Sequence, residues 1–460
     1  MSLNAPSKLF TPLQLGKIGR LSHRVVLAPL TRNRATEPDL APCRAMTVQY
    51  YRQRASPGGL LITEATHISP ESLAYPCTPG IWSCSQRDAW KQVTQAVHEE
   101  GGYIVCQLWH TGRVAHPDFG THPANDNPQV YQPCVSASPT PIENRHGKRG
   151  KTITYDGVRE HAVPRQLSVS DIRRLCEDYK RAAKNAKLAG FNGVELHSAH
   201  GYLIDQFLNN GVNHRTDEYG GSVENRCRLL TEVLDAILQI WPEDQVGIRL
   251  SPHDAPHGGN TYYGCQDSDP DSVYSHAIRL LNKNYKNLAY LLVTEPRWVG
   301  KYDDTPETDP GFQMPLQNLQ KYRSLYDGIM IGAGGFTPAT SYEASQTSKH
   351  DGYDCLAFGR WFISNPDLPQ RLRAWHEYEQ RQRTGPAPPP LNRYERDTFY
   401  TQGAEGYIDY PSLEFEQAQK TGAKNPCAKH DGMVLGKYAL VDPAHVGTSL
   451  KKTDEMRSKL

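Results

Sequence analysis

The chain has 460 residues, 38% hydrophobic and 22% charged, and its 51 Lys and Arg against 50 Asp and Glu leave a formal net charge of +1. Acids and bases are interspersed, which argues against a nucleic-acid or membrane-surface binder, whose basic residues gather in a stripe. No apolar run approaches the roughly 18 residues that cross a membrane, and the N-terminus, MSLNAPSKLF, lacks the basic and apolar regions of a secretory signal.

In chain order, short apolar runs alternate with longer helical patterns. RVVLAP (24–29), GLLITEA (59–65) and YIVCQLWH (103–110) read as the first three strands. Residues 111–168 are a long, Pro-rich connection, predicted as a small hairpin and loop over one end of the fold. A helix over 171–190 stops at Gly190, and GVELH (193–197) follows as strand four. The next helix, 222–241, repeats Val223, Leu229, Leu230, Val233, Leu234 and Ile237 at helical spacing behind a Ser222 cap. VGIRLSP (246–252), AYLLVTEP (289–296), GIMIGAG (328–334) and CLAFGR (355–360) complete the set. All are continuous apolar runs, as parallel strands covered on both faces require. Eight of them with interleaved helices predict an α/β fold, the (β/α)8 TIM barrel, with a long loop and hairpin after strand 3.

Beyond the barrel, RQRTGPAPPPLNR (381–393) is predicted to leave it as an extended segment. The division is a barrel over 8–411 and a C-terminal extension over 412–460, too small for a core of its own. The ten cysteines form no C-x-x-C pair and read as free thiols. Ser458, Lys459 and Leu460 spell the SKL address for peroxisomes, read by an import receptor.

Active sites of this barrel lie at the C-terminal ends of the strands, where the loops after strands 7 and 8 commonly build a phosphate site. Gly334 and Gly335 follow strand 7, and Gly359 and Arg360 follow strand 8, so backbone N–H groups and a guanidinium are available there; tight turns alone also call for such glycines. No G-x-G-x-x-G fingerprint occurs. Thr31, Gln107 and Arg249 end or follow strands 1, 3 and 5. An arginine inside an apolar run needs an anionic or electron-rich partner, and a flat, electron-accepting ring such as that of flavin mononucleotide (FMN) supplies one. Strand 4 ends in VELHSAHGYL, which sets His197, His200 and Tyr202 together. Two imidazoles at this spacing, with His110, could also ligate zinc, although no carboxylate or thiolate stands at a comparable strand end.

LAPLTRNRA (27–35), QLWHTGR (107–113), VELHSAHGYLIDQFLNNGVNHRTDEYGGSVENR (194–226), GIRLSP (247–252), IGAGGF (331–336), FGRWFISNPDL (358–368) and RDTFYTQGAEGYIDYP (396–411) resemble, in order, the Old Yellow Enzyme family of flavin-dependent ene-reductases. The His197/His200 pair is similar to the His/His form of the plant 12-oxophytodienoate reductases, where many relatives carry asparagine at the second position. The resemblance implies tightly but non-covalently bound FMN, with Pro29, Leu30, Thr31, Ala65, Gln107 and Arg249 lining its ring and Gly334, Gly335, Gly359 and Arg360 holding its phosphate. It implies that His197 and His200 grip the oxygen of a substrate over the ring, that Tyr202 donates a proton, and that Trp109, Tyr75 and Tyr400 shape the pocket. NADPH or NADH and the substrate, an α,β-unsaturated carbonyl compound, would take turns on one flavin face. The alternatives are a dienoyl-CoA reductase-like flavoenzyme, whose iron–sulfur cysteines and extra length this chain lacks, a flavin binder without turnover, and a metal-dependent hydrolase on the same barrel. A monomer or a homodimer fits equally.

Overall fold

A computed structural model describes residues 7–143, 148–252, 262–296, 317–345 and 352–414. Eight parallel strands form the centre: β1 (Val25–Leu27), β2 (Leu60–Ile62), β3 (Tyr103–Trp109), β4 (Gly193–His197), β5 (Val246–Leu250), β6 (Tyr290–Thr294), β7 (Met330–Ala333) and β8 (Cys355–Phe358). They pair in sequence order, and β8 closes on β1 with Leu356 opposite Val25. One helix follows each strand on the outside: α1 (Arg44–Arg54), α2 (Cys84–Glu99), α3 (Val169–Leu188), α4 (Arg228–Leu238), α5 (Pro270–Asn284), α6 (Gln317–Tyr322), α7 (Pro338–Ser345) and α8 (Leu368–Gln380). This is the predicted (β/α)8 barrel.

Period-two alternation explains the unbroken apolar strands. Val26, Leu60, Ile62, Val105, Leu292 and Ile331 fill the barrel interior, while Val25, Leu27, Leu61, Ile104, Val194, Leu196 and Ile248 pack outward on the helices. Gly247 takes an inward position because a Cβ there would lie 2.2 Å from the ring of Tyr290, which occupies that space. An N-terminal hairpin, Leu13–Leu15 with Gly19–Leu21, adds Leu15, Ile18 and Leu21 to the interior cluster and plugs one end.

Several helices begin on predicted or evident signals. Ser83 and Ser168 each form reciprocal capping boxes with Gln86 and Asp171. Ser222 Oγ accepts from the Asn225 N–H at 3.3 Å, as its position predicts, but the helix it starts is divided at Cys227 into Val223–Arg226 and α4. The predicted strands are trimmed to the residues that share ladder bonds, which releases Pro29, Ala65, His110, Ser251 and Glu295 into the loops of the C-terminal face. The connection after β3 contains the predicted hairpin, Lys151–Thr154 with Gly157–Glu160. The Tyr155 hydroxyl at its tip accepts from the Cys77 N–H and donates to Glu37, in loops that follow β2 and β1, so the hairpin lies on the face that carries the strand ends.

One expectation is corrected. Residues 381–393 do not leave the barrel; they run out along the surface and return. Asn392 bonds Asn365 Oδ1 at 2.8 Å and the Ser364 carbonyl at 2.9 Å, and Arg371 reaches the Pro390 carbonyl at 2.6 Å. The physical reason lies further along: the guanidiniums of Arg32, Arg34 and Arg54 are buried and meet carbonyl oxygens of Phe399, Gly406, Gly403 and Tyr407. A buried guanidinium must be hydrogen-bonded, and the segment 395–411 supplies the acceptors. Nine of the ten cysteines are described and all nine are free thiols; Cys427, most of the 412–460 extension and the SKL tripeptide lie outside the described residues.

Candidate active site

Strand register assembles the site. Gln107 on β3 stands opposite Glu195 on β4, and His197 at the end of β4 stands opposite Arg249 on β5. Gln107 Nε2 donates to Glu195 Oε1 at 2.6 Å, so the flip of the Gln107 amide is set by a carboxylate that is itself fully buried. Burial raises the pKa of Glu195, and the Arg249 guanidinium works against that rise. Arg249 is 9% exposed; its Nε and Nη2 each lie 3.3 Å from Thr294 Oγ1 on β6.

His197 is buried and its Nδ1 accepts the backbone N–H of Ala199 at 3.3 Å. That bond assigns the ring proton to Nε2. Burial, with the neighbouring Arg249 charge, pushes its pKa well below the ordinary imidazole value, so the ring is neutral at physiological pH and still a donor. His200 holds a left-handed backbone, φ +56°, uncommon for a residue with a side chain. Its N–H is anchored on Ser251 Oγ at 2.7 Å, just past β5, and Gly201 behind it, φ +74°, donates to Asp205 Oδ2 at 2.8 Å. The turn therefore brings the His200 ring 5.5 Å from that of His197, nearly perpendicular at 81°.

Tyr202 caps the short helix Leu203–Leu208 and stands edge-on to His197 at 5.1 Å and to Trp109 at 4.8 Å. Burial raises its pKa well above the ordinary phenol value, with Tyr263 adding to the rise and Tyr400 contributing further. Trp109 lies parallel to His67 at 4.7 Å and to Tyr75 at 6.0 Å, which orders the aromatic wall. Tyr400 is 46% exposed on the returning segment, next to Phe399, whose carbonyl is held by Arg32 and Arg34.

The phosphate side fits as well. Gly334 has φ +109° and a Cβ there would sit 2.7 Å from the Glu295 carbonyl oxygen; Gly335 has φ +66°. A Cβ at Gly359 would lie 3.0 Å from Leu30 Cδ2, a tight approach, whereas the left-handed backbone at Gly334 and Gly335 favours glycine outright. Arg360 begins the short helix Arg360–Ser364, with its guanidinium 5.6 Å above the Tyr394 ring. Pro29, Leu30 and Thr31, partly buried, and buried Ala65 lie in the loops immediately after β1 and β2. These residues fit FMN: Gln107 and Arg249 offer polar groups at the strand ends, and the glycine loops offer backbone N–H groups that would suit a phosphate.

His110, a candidate zinc ligand by spacing, is committed elsewhere: its Nδ1 accepts from Gly112 N at 3.1 Å, and Nε2 faces Glu71 at 3.8 Å. Among the described residues no three His, Cys, Asp or Glu side chains are grouped to hold a metal ion. Sequence reasoning missed Glu195 as the brace of Gln107, Ser251 as the anchor of His200, and Tyr263. The first two were legible in principle, since an acid inside an apolar strand needs a partner and a hydroxyl follows β5; the third carries no local signal.

The barrel, the glycine loops and the polar ring define a flavin-dependent oxidoreductase. The model of the NADH:flavin oxidoreductase / NADH oxidase family matches residues 8–379. 12-Oxophytodienoate reductase 2 of Arabidopsis thaliana is 40% identical over 419 residues, 90% of this chain and 98% of the relative. 12-Oxophytodienoate reductase 1 of Oryza sativa subsp. japonica is 41% identical over 409 residues, 88% and 93%. Among solved structures, morphinone reductase superposes with a TM-score of 0.73 at 39% identity, covering 90% of this chain and 98% of that one. An old yellow enzyme homologue from Zymomonas mobilis gives 0.73 at 36%, covering 89% and 100%. The chain belongs to the NADH:flavin oxidoreductase family, in its Old Yellow Enzyme branch. It is an FMN-dependent NAD(P)H oxidoreductase that reduces the C=C bond of α,β-unsaturated carbonyl compounds.

Proposed function

We propose that His197 and His200 clamp the carbonyl oxygen of the substrate and that Tyr202 delivers the proton to its α-carbon. The observation that carries this reading is the fixed tautomer of His197: with Nδ1 accepting from Ala199, the Nε2–H is a donor beside His200 and Tyr202. FMN bound there would supply hydride transfer, from the reduced nicotinamide to the electron-poor β-carbon of the substrate. Negative charge then gathers on the carbonyl oxygen, and the pre-oriented His197 Nε2–H, with an N–H of His200 beside it, would stabilise it more strongly than the ground state. A neutral His197 suits this task, because it donates without surrendering a proton to the enolate. The Tyr202 phenol, whose pKa lies well above 10, stays protonated and is the group left to supply the α-carbon. Trp109 and Tyr75, stacked on one another, with Tyr400 close enough to act on Tyr202, would form the walls for a flat enone.

The substrate class we propose is a cyclic, oxylipin-like enone, which the reductases named for 12-oxophytodienoate support. In Tyr202→Phe, flavin reduction by NADPH should proceed at nearly the wild-type rate while reduction of 2-cyclohexenone slows at least about 100-fold; equal slowing of both half-reactions would refute the donor role.

For localisation we propose the peroxisome, on the Ser458-Lys459-Leu460 motif. A fluorescent protein fused at the N-terminus should be punctate, and deleting the tripeptide should disperse it; an unchanged pattern would remove the assignment.

A further inference from the structure

Tyr202 belongs to a chain of phenols. Its hydroxyl lies 3.4 Å from that of Tyr75, and the Tyr75 hydroxyl is hydrogen-bonded to that of Tyr263. The three come from different strand ends: Tyr75 after β2, Tyr202 after β4, Tyr263 after β5. They pack together against buried Ala74, Val114 and Ile142. Tyr263 is held from both sides, its carbonyl oxygen taking the Arg113 Nη2 at 2.9 Å and its ring meeting the edge of His161 at 6.2 Å.

This arrangement addresses a difficulty in the reading above. A proton donor in a dry pocket becomes a phenolate, and that charge has little solvation once an enone covers it. The burial that raises the Tyr202 pKa measures the same penalty, and Tyr75 is raised for the same first reason. A donor so placed works best when its proton is replaced as it leaves.

We propose that Tyr75 and Tyr263, both partly exposed, form a proton relay that recharges Tyr202 during alkene reduction, with Tyr263 at the far end of the chain from Tyr202. This deepens the proposed function and rests on Tyr202 being the donor. As the α-carbon gains its C–H bond, the Tyr202 O–H bond breaks; the Tyr75 proton moves to the Tyr202 oxygen, the Tyr263 proton to the Tyr75 oxygen, and water protonates Tyr263. Each phenol ends as it began. The enolate has become a ketone, and one hydroxide is released to the buffer. No charge rests on a buried ring.

The test uses reduced holoenzyme mixed anaerobically with saturating 2-cyclohexenone, its reoxidation followed in H2O/D2O mixtures. In the wild type the rate should bow below a straight line against deuterium fraction, because several protons move in one step. Tyr263→Phe should lower the rate about 10-fold or more and make the dependence linear, with the enone dissociation constant and flavin reduction by NADPH unchanged; Tyr75→Phe should likewise lower the rate and make the dependence linear. Wild-type rate and curvature in Tyr263→Phe would overturn the relay, as would weaker enone binding with the curvature kept, which marks a mere wall residue. Tyr202→Phe separates the two ideas: if it slows reoxidation while Tyr263→Phe does not, only the relay fails, and if it slows nothing, the donor assignment fails first.

Discussion

Glu195 and Gln107 are register partners on adjacent barrel strands, and the carboxylate of one holds the amide of the other at 2.6 Å. With one N–H committed to Glu195, Gln107 has one orientation, which leaves its other N–H and its amide oxygen for a bound cofactor. Replacing Glu195 by Gln removes the acceptor-only partner and frees the Gln107 amide to flip. A buried hydrogen bond lost in this way costs about 1–3 kcal/mol. Glu195→Gln should therefore weaken FMN retention about 10-fold or more, read as flavin fluorescence regained on dilution. Retention equal to wild type would show that Glu195 does not orient the ring-facing amide.

Ser251 acts on His200 in the same indirect way. The left-handed backbone at His200 is disfavoured for a side-chain-bearing residue by about 1 kcal/mol, and the 2.7 Å bond from its N–H to Ser251 Oγ opposes that preference. Ser251→Ala should let the turn relax, slackening one jaw of the clamp while leaving His197 on its Ala199 bond. The expected result is about 10-fold weaker binding of a phenol such as 4-hydroxybenzaldehyde, titrated by flavin absorbance, with unchanged flavin reduction. His200→Ala made in the Ser251→Ala background should then add little; full additivity would mean the two residues act separately.

Much of this was legible in the chain, and the reason is physical. Strands covered on both faces must be apolar throughout, so all eight could be found, and any polar residue on them, such as Gln107 or Arg249, stood out. Glycines after β7 and β8 marked loops at the C-terminal face for the same reason of exclusion. What failed to show was tertiary pairing. Nothing local to 381–393 says that it turns back, because the cause is three arginines more than 300 residues earlier. Nothing in YYG (262–264) says that Tyr263 meets Tyr75, since that contact joins two loops through the folded barrel.

Arg34 closes that return. Its guanidinium reaches the carbonyls of Gly403 at 2.8 Å, Phe399 at 3.2 Å, Thr398 at 3.0 Å and Glu405 at 3.1 Å. Burial and the adjacent Arg32 lower its pKa to about 10, which leaves it charged at neutral pH. Lysine cannot reproduce the planar fork. Arg34→Lys should destabilise the protein by about 3 kcal/mol, the lower end for breaking a buried charged network, and expose 395–411 to trypsin. Because Tyr400 rides on this segment, the enone dissociation constant should rise as well. Native-like protease resistance with normal melting would show that the segment is held by other contacts.

The acid limb of stability follows from buried imidazoles, His197 and four others. Burial lowers His23, His161 and His376 to about 4 and His67 to about 3, from an ordinary 6.5. His376 shows why: it lies between Ser7 Oγ at 2.8 Å and Ser341 Oγ at 3.1 Å, with both ring nitrogens used while neutral. Below pH 6.5 the unfolded chain takes up protons that the fold refuses until about pH 4, so stability falls as pH falls through that window. Glu64 acts oppositely. Burial raises it to about 7 from 4.5, so its contribution is lost as pH rises from 4.5 to 7; Glu195 and Asp178, also raised by burial, share that sign. Each displacement of this size is worth about 3 kcal/mol, and four fully displaced imidazoles outweigh Glu64 and its smaller companions. The melting temperature should drop steadily from pH 7 to 5, before ordinary carboxylates titrate, and His376→Gln should flatten the slope while Glu64→Gln steepens it. A profile flat to pH 5 would mean that these rings take up protons in the fold as readily as in the unfolded chain.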